Sequence, residues 1–363
     1  MTKLHDLYYT QGQSPWLDNM RRAWITGGEL AAWVERGVRG MTSNPTIFQK
    51  AISGSSEYDD QFAELVAAGA SIDEAYWALV TSDIEDCLRI LRPVHDESAG
   101  VDGYVSVEVA PSLARDRDGT VASARELHSH IDEPNLFVKV PATAEGVEAI
   151  RTLVGEGHSI NVTLIFGLDR YDEVMEAYIA GLEAFDGDLS PVRSVASFFV
   201  SRVDTEVDQR LDAIGTDAAL ALRGKAAVAQ AQLAYSRFLD KFSGPRWQAL
   251  AERGAKVQRP LWASTSTKNP DYVDTLYVDT LIGPDTVNTM PEATLDAFDD
   301  RGTVARTVDA DPESAAQVLA QISDVGVDLD DVSRVLEDQG VASFAKSFDE
   351  LITALQAKGE ALR

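Results

Sequence analysis

Cysteine is nearly absent: Cys87 stands alone among 363 residues. That excludes an intrachain disulfide framework and a cysteine-rich metal site, and it fits a reducing cytoplasm. Positive charge is scarce too, with 32 Lys and Arg against 59 Asp and Glu, a net charge of −27. A nucleic-acid partner wants a basic face, which this balance argues against. An anionic substrate would need a local cluster of cations to overcome the background field. Long apolar runs are missing as well, and none approaches the ~20 residues of a membrane span. The opening MTKLHDLYYTQGQSPW lacks the apolar core of a secretory signal, so a cytoplasmic location is expected. No P-loop and no GxGxxG appear, so no nucleotide cofactor is implied. His128 and His130 sit two apart, a spacing that does not share a helix face, so no metal site is expected there.

What is present is ordinary for a globular protein: 45% hydrophobic and 25% charged residues. Length alone suggests about two domains, but α/β barrels run past ~250 residues as one. Eight strand candidates follow one another, mostly separated by helical sequence: SPWLDNM (14–20), VRGMTSNP (38–45), YVSVEVAP (104–111), the run around Lys139, SINVTLIF (159–166), VRSVASFFV (192–200), VQRPLWASTST (257–267) and TLYVDTLIG (275–283). Such alternation predicts a parallel sheet, and eight units predict a closed (β/α)₈ barrel. An open doubly wound sheet would show a glycine-rich turn after its first strand, and none is present. The barrel is expected to occupy about 14–300 within a single domain spanning 1–363. The C-terminal helices, about 301–363, are expected to pack on it; Asp311-Pro312 opens the first of them in cap-then-proline order. The stripe Phe344, Phe348, Leu351, Ile352 and Leu355 reads as core packing.

The stretch LFVKVPATAEG (136–146) organises the rest. Alternation puts Phe137 and Lys139 on one strand face and Leu136, Val138 and Val140 on the other. Pro141 closes the strand and Thr143 caps the next helix. A buried ammonium is costly, so burial should favour the neutral amine, a nucleophile toward carbonyl carbon. A lysine at an exposed edge, or one paired with a carboxylate, is the plainer alternative. Polar residues alternate with apolar ones on other candidate strands: Glu108, Asn161 with Thr163, and Ser197 with Phe199 share the periodicity of an inward face. Taken alone, Asp18 reads as a helix cap before NMRRAW, Asn44 as a turn residue before Pro45, and Glu108 as a salt-bridge partner for Lys139.

GMTSNPTIF (40–48) resembles the first signature of the transaldolases, with Met41 where that pattern prefers a smaller or β-branched residue. LFVKVPATAEGVEAI resembles the segment bearing that family's Schiff-base lysine. INVTLIF and VASFFVSR resemble its next two barrel strands, in the same order, and the likeness spans roughly Asp18 to Thr289. The resemblance implies that Lys139 attacks the C2 carbonyl of a ketose phosphate. It implies that Glu108, Thr163 and a held water dehydrate the carbinolamine, and that Asp18 takes the C4 hydroxyl proton. Asn44, Asn161 and Ser197 then contact the dihydroxyacetone unit, with Phe199 beside them. Arg202 binds phosphate, with Ser266 and Lys268 as the second contact; lysine in place of the family's arginine keeps the charge and loses the fork.

The implied activity is transfer of a dihydroxyacetone unit from sedoheptulose 7-phosphate to glyceraldehyde 3-phosphate, with no metal and no cofactor. Its partners would be phosphorylated ketoses and aldoses, with no nucleic acid and no membrane; monomer and homodimer both fit. Two alternatives stand. One is a fructose 6-phosphate aldolase-like lyase, whose kind carries tyrosine at the position of Phe199 and glutamine at that of Glu108. The other is a non-catalytic barrel that binds sugar phosphates.

Overall fold

The computed structural model describes residues 1–361. Eight parallel strands close into a barrel in sequence order: β1 Gln13–Leu17, β2 Met41–Thr42, β3 Val105–Glu108, β4 Leu136–Pro141, β5 Ile160–Ile165, β6 Ser194–Phe199, β7 Gln258–Ala263 and β8 Thr286–Met290. Helices connect them, so both strand faces are covered, and every residue of every strand is buried. The fold is the (β/α)₈ barrel that the alternation predicts. Among the described residues, no helix is long and apolar enough to cross a membrane.

One of the eight strand expectations fails. TLYVDTLIG is not a strand: its middle forms the short helix Leu276–Asp279. The physical reason lies in its spacing. Tyr277, Val278, Leu281 and Ile282 fall at i, i+1, i+4 and i+5, a helical rather than an alternating period, and all four are buried. The true eighth strand, TVNTM, is short and polar and carries little hydrophobic signal. The N-terminal segment is itself structured. Lys3–Gln11 is a helix with a capping box between Thr2 and His5, and it buries Leu4 and Leu7.

Inside the ring, side chains stack in layers. At the N-terminal end of the strands, Asp102 is fully buried. It accepts from Ser14 Oγ at 2.7 Å, Trp16 Nε1 at 3.1 Å, Arg39 Nε at 2.9 Å and Arg259 Nη1 at 3.2 Å. Above this plug, Phe137 stacks on Tyr104 with centroids 4.1 Å apart and meets Trp16 at 6.2 Å. Gly40 is required here, because a Cβ would fall 2.4 Å from the Trp16 ring. The floor is therefore closely packed, and the cavity described below opens at the C-terminal ends of the strands.

The C-terminal helix Leu329–Ala361 packs along helices Pro45–Ser53 and Ile72–Glu97 and against β5. Phe344, Leu351 and Leu355 are buried, with Phe348 and Ile352 packed against them, as the stripe predicts. Gly340 lets the helix approach β5 closely: a Cβ there would stand 3.0 Å from Leu164 Cδ2. Leu164 itself adopts φ 59° where the β5–β6 register shifts, so the close approach falls at an irregular point of the strand.

Candidate active site

Strand pairing brings the central residues together. Glu108 and Lys139 are register partners across β3 and β4, and Lys139 and Asn161 across β4 and β5. All three side chains point into the barrel. Lys139 is only 5% exposed. Its Nζ donates to the Ser43 carbonyl at 2.9 Å and lies 3.4 Å from Glu108 Oε2. The amine therefore sits inside the ring, within reach of a proton-transfer partner. Pairing with a carboxylate, the plainer alternative for Lys139, is also part of the geometry. What goes beyond a saturated ion pair is the unmet polarity beside it. Glu108 Oε2 and Thr163 Oγ1 are buried without a hydrogen-bond partner among the described residues. Burial pushes the Glu108 carboxyl above its ordinary range, against the pull of Lys139.

Asp18 follows β1 directly, where the first strand delivers it to the C-terminal mouth. It is half-buried and accepts from Thr42 Oγ1 at 2.8 Å. Burial raises its carboxyl too, outweighing Lys139, the Thr42 hydrogen bond, Lys268 and Arg202. Two carboxyls whose proton affinity is raised stand with one amine, an arrangement suited to acid–base work.

A cavity of about 320 Å³ opens over these groups. Asp18, Asn44, Lys139, Thr163, Ser197 and Phe199 line its depth, and Arg202, Ser266 and Lys268 line its rim. Of the expected site residues, Asn161 and Glu108 stand outside the lining. Asn161 is fully buried one layer below. It donates to Ser106 Oγ at 3.0 Å and accepts from Ser197 Oγ at 2.7 Å. Glu108 stands beside Lys139 and faces a separate small hollow with Asn44 and Tyr76. Asn44 does two things at once: its side-chain oxygen caps helix Pro45–Ser53 by accepting from Ile47 N at 3.0 Å, and its flank meets the cavity.

The rim is cationic. Arg202, at the start of helix Ser201–Ile214, makes no hydrogen bond or ion pair among the described residues; its guanidinium lies over Phe199 at 5.3 Å and Phe344 at 5.9 Å. Burial lowers its proton affinity. Lys268 Nζ donates to Ser266 Oγ at 2.6 Å, and its pKa is lowered by desolvation and by Arg202 nearby. A half-buried guanidinium with rings beside it and no ion pair among the described residues is equipped to take an anion.

The family model for transaldolase/fructose-6-phosphate aldolase matches residues 15–355. The chain belongs to that family. Curated relatives named transaldolase agree along nearly their whole length. One from Parafrankia sp. (strain EAN1pec) is 53% identical over 350 residues, 95% of each chain. One from Thermobifida fusca is 51% identical over 346 residues, 94% of each. One from Mycolicibacterium smegmatis is 48% identical over 357 residues, 97% of this chain and 96% of its own.

Within this transaldolase-family barrel, further residues reach the cavity that sequence reasoning missed. Thr289 of β8 shares a 2.7 Å hydroxyl contact with Thr42, and the misplaced eighth strand hid it. Lys50, Ser343 and Phe344 also line the cavity. Phe344 lay within a stripe read as core, and helical periodicity cannot separate a core phenylalanine from one that walls a site. Lys50 had a weak signal, three residues past Ile47 and six past Asn44 on one helix.

Proposed function

We propose that this protein is a transaldolase of the non-oxidative pentose phosphate pathway, moving a dihydroxyacetone unit from sedoheptulose 7-phosphate to glyceraldehyde 3-phosphate. The unprotonated Lys139 Nζ attacks the ketose C2 carbonyl and gives a carbinolamine. Glu108, working through Thr163 and one water, supplies the proton on which the C2 oxygen departs as water, leaving an iminium. Asp18 then removes the C4 hydroxyl proton. The C3–C4 bond breaks, its electrons enter the iminium as an enamine, and erythrose 4-phosphate leaves. The enamine carbon attacks the aldehyde carbon of glyceraldehyde 3-phosphate while Asp18 returns the proton to the new hydroxyl. Water adds back to the iminium, and Lys139 is released with fructose 6-phosphate. The iminium acts as the electron sink, so each step can be drawn with side chains, water and the sugars.

Asn44 and Ser197 meet the three-carbon unit, and neutral amide and hydroxyl groups suit its hydroxyls. Asn161 holds Ser197 from below and stands beside Lys139. Arg202, with Ser266 and Lys268, takes the phosphate. The observation that carries this reading is the buried amine of Lys139, 3.4 Å from Glu108 Oε2 inside the ring, below a rim whose guanidinium has no partner. The scarcity of cysteine and the phosphorylated substrates fit a cytoplasmic setting.

The test is borohydride reduction of the enzyme with fructose 6-phosphate, then peptide mapping. A dihydroxyacetone adduct on the peptide carrying Lys139 is expected; label elsewhere, or none, overturns the mechanism. Transfer rather than simple cleavage is favoured by Phe199, which brings no hydroxyl to the site, and by Glu108 as a carboxylate. Rapid release of free dihydroxyacetone without acceptor aldehyde would move the activity to the lyase side of the family.

A further inference from the structure

Helix Pro45–Ser53 begins at Asn44, and a spacing of three then lays Asn44, Ile47 and Lys50 along one side. All three line the active cavity. The C-terminal helix braces this one, because Thr46 Oγ1 meets its Ser347 Oγ at 2.8 Å. Lys50 thus reaches the cavity from a braced scaffold. Its ammonium has no ion-pair partner among the described residues, and Lys268 feels its charge. Around that cavity the basic residues are Lys50, Lys139, Arg202 and Lys268, against the carboxylates of Asp18 in its wall and Glu108 beside Lys139. In a chain of net charge −27 this local surplus is the reverse of the background. A phosphate monoester brings about two negative charges at neutral pH, enough to bring such a cluster into balance.

We propose that Lys50 is a third cation of the phosphate subsite, acting with Arg202 and Lys268 on the phosphate of the bound ketose or aldose. The assignment rests on the sugar-phosphate reading above and adds a residue to it. An ammonium is a compact point charge on a flexible stem, suited to closing over an anion that Arg202 orients. The competing role is local: a lysine in the last turn of a helix also meets the negative end of the helix dipole. The two roles differ in what they respond to, since only the first depends on phosphate in the ligand.

The experiment compares wild type, Lys50→Ala and Lys50→Arg with fructose 6-phosphate and with fructose as donor. Inorganic phosphate binding is measured separately by titration calorimetry. Lys50→Ala is expected to lower the kcat/KM preference for the phosphorylated donor by about five- to tenfold, and to weaken inorganic phosphate to a similar extent, with Lys50→Arg largely restoring both. An equal loss on both donors marks a helix-end effect and overturns the assignment. So does a preference and a phosphate affinity within about twofold of wild type. If wild type gives no borohydride adduct at Lys139, the transaldolase reading fails on its own account, and calorimetry still decides the fate of Lys50.

Discussion

The two ends of the barrel hold charge in opposite ways. At the N-terminal end, Asp102 accepts four hydrogen bonds, and Arg259 spends its Nη donors on Asp102, Ser14 and the carbonyls of Val101 and Thr286, leaving only Nε unmatched. Burial alone would raise Asp102; Arg259 and Arg39, helped by the Ser14 hydrogen bond, hold it below the ordinary range instead. At the C-terminal end the balance reverses. Asp18 and Glu108 are raised by burial, Glu108 Oε2 and Thr163 Oγ1 lack a hydrogen-bond partner among the described residues, and Arg202 has only aromatic rings for company. One end is satisfied and serves the fold. The other is left short of partners, which costs stability and leaves groups free to act on a ligand.

Each contrast can be broken by substitution. The largest effect is expected at the open end: Lys139→Ala should lower kcat/KM by about a thousandfold or more, since it removes the buried amine on which the iminium forms. Transaldolase turnover left intact in that variant would remove the mechanism. Next comes the plug. Asp102→Asn leaves two guanidiniums without their carboxylate and should cost ~3–5 kcal/mol in denaturant unfolding, while the folded fraction keeps its specific activity. A cost below about 1 kcal/mol would mean that the cluster is not what holds that end together.

Arginines sharpen the same comparison. Arg202→Ala should reduce kcat/KM for phosphorylated sugars by about ten- to a hundredfold with little change in the unfolding midpoint, since it loses no hydrogen bond or ion pair within the protein. Arg259→Ala should do the reverse. Equal stability losses in the two variants would erase the distinction between the ends. Smallest in energy, and opposite in sign to Asp102→Asn, is the stability effect of Asp18→Asn. A carboxyl whose folded pKa is raised is destabilising when ionised, so the neutral amide should stabilise the fold by about 1 kcal/mol at neutral pH while abolishing transfer. Unfolding curves of the two Asp→Asn variants, read side by side, check this directly.

The same signs set the pH behaviour. Asp102, lowered, contributes stability that is full above its unfolded value and is lost as pH falls through the folded one. Asp18 and Glu108, raised, bind protons more readily in the folded state, so the acid limb of kcat/KM should lie above their ordinary values of 3.8 and 4.5. A rate profile flat between about pH 5 and 9 would count against that assignment.

Much of the open end was legible beforehand because alternation in a strand carries a definite face. Glu108, Lys139, Asn161, Thr163, Ser197 and Phe199 all project inward, as their spacing predicts. Where the period was ambiguous, legibility failed. TLYVDTLIG is apolar enough for a strand and buries its residues as a helical turn, while TVNTM, the real β8, is too polar to announce itself. The plug was invisible for another reason. Ser14, Arg39, Asp102 and Arg259 lie on different elements, and no local pattern marks them as partners.

By itself, then, the order of residues determined the parallel barrel, the inward placement of Lys139 and its neighbours, and the family. Each follows from a period of two or from a contiguous motif, both of which are local. Only the closed ring decided that Asn161 lies beneath the cavity rather than in its wall, that Phe344 of a distant helix stands over Arg202, and that Lys50 faces the same space. Those are contacts between residues far apart in the chain, and they come into being only when burial of the apolar faces forces the elements together.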